Sequence, residues 1–310
     1  MQMFRTRARD EIRAPDEAAP PEAKDTSAVD WKVAIGSARR HMKRDRVNVA
    51  AGAFAYRWFL ALFPTVIALL GVASLLSIPH SVATSLISGV TKALPAGASG
   101  VLTAAIASAS HRSAGALSAT VIATVVALWS ATSGMVMVEE GLDMAYEDPA
   151  DRSFIGKRLI AVPLLLGSAI LGGGASALVV FGGPIGTALR ASVPVAGGVF
   201  AVGWIVVRWA AALVLVNLLF SFIYWLAPNQ HTKWRWASPG ALIGTVVWAL
   251  VSLGFSLYAA QSGSFGRTYG AFAGVAILVF WLYLTGFATF VGAEVNAAFE
   301  RAAGRGELRS

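Results

Sequence analysis

Two arginines stand in stretches that otherwise carry no charge, Arg57 and Arg208. A guanidinium in hydrocarbon costs about 2.5–3.5 kcal/mol on insertion scales, so each needs a reason. Facing a hydrated cavity, each holds a phosphate or carboxylate through paired hydrogen bonds. On that reading they are candidate anion- or headgroup-binding residues, two rungs of one path, with Arg57 nearer the inner face and Arg208 nearer the outer. On the structural reading each snorkels to an interface or pairs with a backbone carbonyl or a carboxylate such as Glu294. Glu139, Glu140 and Asp143 close one apolar stretch, and Glu294 with Asn296 closes another, after the uncharged run Thr268 to Ala293. Carboxylates gathered at one depth make a proton- or cation-coupling site, or else they cap helices and answer nearby Lys and Arg.

Other chemistries lose their residues. The chain has no cysteine, which excludes disulfides, thiolate metal sites, iron–sulfur clusters and thiol nucleophiles. His41, His80, His111 and His231 show no two- or four-residue ligand interval among themselves, so no metal site is expected. There is no phosphate loop, dinucleotide fingerprint or Gly-x-Ser-x-Gly turn. The expectation is no catalytic residue, no cofactor and no enzyme activity.

The elements that position these residues are apolar. The 310 residues are 56% hydrophobic and 14% charged, with a mean hydropathy of +0.64, whereas a soluble domain carries about 25% charged residues. Charge-free runs recur, each long enough at about 1.5 Å per residue to cross a core of about 30 Å. The expected fold is all-α, a polytopic helical membrane protein with six spans: about 49–76, 115–138, 159–180, 199–226, 239–260 and 270–298. Pro64 predicts a kink in the first. Gly182, Gly183, Pro184 and Gly186 predict a turn after the third. Gly240–Gly244 and Gly270–Gly274 fit close helix packing. Trp225, Trp234 and Trp236 fit an aromatic belt.

Outside this bundle of residues 49–300, residues 1–28 lack large apolar side chains and read as a disordered tail. Residues 29–48 read as a basic amphipathic interfacial helix whose apolar stripe is Trp31, Ile35, Ala38 and Met42. Residues 77–112 suggest short surface or re-entrant helices, and 301–310 a short tail. Lys and Arg number fourteen in the loops that lie inside if the amino terminus does, against four in the alternate loops. The bias predicts cytoplasmic termini. The net charge of +8 is then what loops facing anionic lipid require, and no nucleic-acid partner is expected.

Four stretches resemble the YihY/BrkB family of bacterial inner-membrane proteins, some of which carry the label ribonuclease BN. They are Ala53 to Pro64, containing Tyr56 and Pro64; Trp129-Ser130-Ala131-Thr132-Ser133-Gly134; Tyr224 to Asn229 with Pro228, followed by Trp234, Trp236 and Gly240; and Tyr269-Gly270 through Trp281 and Tyr283 to Gly292 and Asn296. Their order and spacing over residues 31–303 make the resemblance specific. Ala61 departs from the family's usual Ser, and Arg57 stands where an uncharged residue is expected. The resemblance implies a six-helix inner-membrane protein with both termini inside, and supplies no substrate. The expected function is transport or handling of an anionic or amphiphilic, lipid-like solute, with membrane lipids as partners. The alternative is a non-transporting envelope scaffold. A ribonuclease comes third, because no metal cluster or acid–base pair stands out.

Overall fold

The computed structural model describes residues 31–75, 116–147, 152–192, 197–229, 234–261 and 263–307. The expected tail of residues 1–28 and the short helices of 77–112 lie outside them, as do the side chains of Pro64, Tyr269 and Gly270. Among the described residues the fold is all helical, with no strand. The helices are α1 (Trp31–Arg44), α2 (Val47–Leu75), α3 (Ala116–Tyr146), α4 (Phe154–Ser192), α5 (Gly197–Leu226), α6 (Pro239–Gln261) and α7 (Gly263–Glu307). Among the described residues four stretches are long and apolar enough to cross a membrane, Phe154–Arg190, Phe200–Leu226, Pro239–Tyr258 and Gly274–Ala303, and Val47–Leu62 is a shorter apolar helix.

The long helices close a ring: α2 packs on α3, α3 on α4, α4 on α5, α5 on α6, α6 on α7, and α7 back on α2. In hydrocarbon each helix satisfies its own backbone, so association depends on how closely the helices approach. At the α6–α7 crossing a Cβ on Gly240 would lie 2.3 Å from the Gly292 carbonyl oxygen and 2.4 Å from the Asn296 Cβ. Only glycine permits that approach.

The structure differs from the sequence reading in two places. The Gly/Pro stretch at 182–186 does not turn the chain, because α4 runs through both Pro163 and Pro184 to Ser192. The small residues let α5 lie against it, and the Trp204 indole N–H donates to the Gly182 carbonyl; in apolar surroundings a continuous helix keeps all but the proline-freed backbone groups paired, which an open turn would not. The stripe of α1 also divides. Ala34 and Ala38 are buried against Val295, Ala298 and Phe299 of α7, whereas Ile35 is exposed and Trp31, though exposed, meets the Phe299 ring edge-on at 4.5 Å. Alanine wins the contact face because it lets the two backbones come close.

Candidate functional site

A cavity of about 310 Å³ opens between α2, α3 and the start of α4. Arg57 reaches it from α2; Ser133, Val136 and Glu140 from α3; Arg152 from the link before α4; and Phe154, Lys157 and Arg158 from α4 itself. Four cations therefore face one carboxylate.

Three of the cations have structural partners. Arg152 pairs with the buried Glu139 at 3.3 Å and clasps the segment after α5. It donates to the Ala227 carbonyl at 2.8 Å, the Pro228 carbonyl at 2.8 Å and Asn229 Oδ1 at 2.9 Å. The Asn229 N–H in turn donates to Asp143 at 3.0 Å. Lys157 meets Glu140 at 3.2 Å. Arg158 lies 4.1 Å above the Trp129 ring and donates to Thr132 Oγ1 at 2.6 Å and Ser133 Oγ at 2.9 Å. The Trp129 to Gly134 stretch is thus the seat of Arg158, and the Pro228-Asn229 pair the seat of Arg152. Arg57 is exposed and makes no hydrogen bond or ion pair among the described residues.

Arg208 belongs to a different place. Its side chain lies over Gly182 and Gly183 of α4, and a Cβ on Gly182 would meet its Cδ at 2.2 Å. Its guanidinium is 5.7 Å from the Trp209 ring, and its Nε is buried without a hydrogen-bond partner. Arg158 and Gly182 are twenty-four residues apart on α4, about 36 Å at 1.5 Å per residue. That exceeds the hydrocarbon thickness of about 30 Å. The two arginines occupy opposite ends of the bundle, and neither pairs with Glu294.

The remaining sequence candidates gather at the α1 end. Asn296 donates to the Tyr146 hydroxyl at 2.7 Å and to Glu300 Oε1 at 3.0 Å. Glu294 is 1% exposed, and among the described residues no N–H group reaches either of its carboxylate oxygens. Across from it stand His41, which the sequence reading set aside as a metal ligand, and Asp45, which it did not weigh. Burial, then the guanidinium groups of Arg301 and Arg44, hold the His41 imidazole below its ordinary range. A hydrogen bond from Arg44 draws the Glu147 carboxyl below the usual carboxylate range. Of the other motif residues, Tyr56 is exposed, Trp281 is half-buried, and Tyr283 stacks between Phe280 and Phe287.

Apolar helices of this length, closed into a ring with a basic cavity at one end, define an all-α membrane protein. The sequence profile of the BrkB virulence factors matches residues 38–309, and the chain belongs to that family. It is 35% identical over 191 residues to the ribonuclease-like protein YfkH of Bacillus subtilis, covering 62% of this chain and 68% of that one. It is 28% identical over 268 residues to a UPF0761 membrane protein of Stenotrophomonas maltophilia, covering 82% of this chain and 58% of that protein. A UPF0761 membrane protein of Vibrio cholerae is 41% identical over 91 residues, 29% of this chain and 30% of its own. Apart from the Bacillus protein, the chain spans less than two thirds of these relatives. No solved structure matches.

Proposed function

We propose that the protein binds and handles an anionic, lipid-like solute whose headgroup enters the cavity between α2, α3 and α4. The observation that supports this most is Arg57, a cation without a partner among the described residues, in a cavity with three further cations. Phosphate oxygens suit such a cluster, since a guanidinium offers two parallel donors to them. The rim is apolar: Trp129 and Phe154 are exposed and their rings lie 6.1 Å apart, as suits a site that also meets acyl chains. In the proposed orientation, an inner membrane with both termini cytoplasmic, the cavity lies at the inner leaflet, whose anionic lipids attract basic residues.

The test is native mass spectrometry of the full chain in nanodiscs of phosphatidylglycerol or phosphatidylcholine, together with lipid flux in liposomes. The wild type should retain phosphatidylglycerol preferentially. Arg57→Ala should weaken retention about tenfold, the equivalent of about 1.4 kcal/mol, while Arg208→Ala leaves it unchanged. Inorganic phosphate that competes fully with the lipid would identify a free anion as the ligand. Equal retention of both lipids, or no effect of Arg57→Ala, refutes the reading. Retention without flux would favour the scaffold role.

A further inference from the structure

A second set of groups lies apart from the basic cavity and points to a different ligand. His41 is on α1, Asp45 is in the turn that follows, and Glu294 is on α7. Each offers one ligand atom, and the three atoms lie within 4.8 Å of one another. Zinc bonds to imidazole nitrogen and carboxylate oxygen at about 2.0–2.2 Å, which sets tetrahedral ligand atoms about 3.4 Å apart, so closure on one ion draws the three atoms together by side-chain rotation.

We propose that His41, Asp45 and Glu294 bind one divalent transition-metal ion of the manganese or zinc class, fastening the interfacial helix α1 to the bundle. Glu294 supplies the independent reason. Its side chain is 1% exposed, and among the described residues no N–H group reaches either carboxylate oxygen, the facing group being the Asp45 carboxyl. A buried carboxylate facing another carboxylate is costly unless a cation or a proton lies between them. A shared proton would need no third ligand, yet an imidazole completes the triangle. The charged groups around it are Arg44, Arg301 and Glu147. Arg44 is engaged by Asp45 at 2.8 Å and by Glu147. Glu147 Oε1 is 3.3 Å from His41 Nδ1, the kind of carboxylate that orients a metal-binding imidazole.

The backbone presents the set. The Asp45 N–H donates to the His41 carbonyl at 2.8 Å, which keeps both residues on one helical face. Arg46 then takes a left-handed φ of 49° and reverses the chain into α2. Mixed nitrogen and oxygen donors suit manganese or zinc better than an all-oxygen calcium site. Enclosure by α1 and α7 suits an ion that holds structure.

The test uses the full chain purified in detergent and stripped with EDTA. Mn²⁺ is titrated by electron paramagnetic resonance, and Zn²⁺ by competition with a chromophoric chelator. One equivalent should bind and raise the Tm. His41→Ala and Asp45→Asn should each weaken binding at least tenfold and abolish the rise, and Glu147→Gln should weaken it less. Both ligand changes lie outside the spanning helices, so the variants remain informative if Glu294→Gln does not fold. Arg57→Ala, which removes the lipid site, should leave metal binding intact. No saturable binding up to millimolar metal, or binding unchanged in both His41→Ala and Asp45→Asn, overturns the proposal.

Discussion

The Tyr224 hydroxyl occupies the space that a side chain on Gly292 would need: a Cβ there would lie 2.2 Å from the hydroxyl oxygen, which donates to the Thr289 carbonyl at 2.7 Å. One tyrosine of α5 thereby fills the notch at which α6 and α7 cross. Gly292→Ala must expel it, and overpacking of this kind costs about 1–3 kcal/mol. Tyr224→Phe removes only an interhelical hydrogen bond, worth on average about 0.6 kcal/mol in membrane proteins. Thermal unfolding in detergent should rank Gly292→Ala well below Tyr224→Phe, and the reverse order would mean that the notch adapts.

Two glycine substitutions should separate backbone contact from side-chain contact. A Cβ on Gly240 meets the Gly292 carbonyl oxygen, whereas the three atoms nearest a Cβ on Gly182 all belong to the Arg208 side chain. Gly240→Ala should lower the Tm clearly, and Gly182→Ala should cost less than about 1 kcal/mol because Arg208 can swing away. Equal losses would place Arg208 in a fixed role.

Arg152 joins α3 to the segment after α5. Arg152→Met leaves Glu139 buried without its cation, a change that costs about 3–5 kcal/mol when a buried pair is broken from one side. The double variant Glu139→Gln with Arg152→Met removes the stranded charge and should recover part of that loss. Proteolysis near Pro228 in Arg152→Met, absent from the wild type, would show the segment released.

Arg158→Lys keeps the charge but gives up the planar fork that reaches Thr132 and Ser133 while lying over Trp129. A loss of about 0.5–2 kcal/mol is expected. Quenching of Trp129 by brominated lipids should rise as the ring face under Arg158 opens, and an unchanged signal would argue against the stacking.

What the sequence revealed depended on how local the signal was. The helices around Arg208, Gly240 and Glu294 were legible because uncharged runs of this length have few alternatives. The turn expected at Gly182 to Gly186 failed because those glycines serve as seats for Arg208 and Trp204 of a neighbouring helix, which is invisible in one dimension. Trp129 to Gly134 and Pro228-Asn229 stood out as motif, but their roles as seats for Arg158 and Arg152 needed coordinates. His41 and Asp45 left a trace, a four-residue interval between unlike ligand types, which a search for paired histidines passes over. Their partner Glu294 lies some 250 residues away, beyond any spacing rule.

The interlocked backbones of α6 and α7 also limit how this molecule can move. With Gly240 lodged against Gly292 and Tyr224 wedged behind them, sliding along that seam would drive backbone into backbone. The pair therefore travels as one plate. The α4–α5 contact is of another kind, since there the side chains of Arg208 and Trp204, rather than a facing backbone, rest on the glycines.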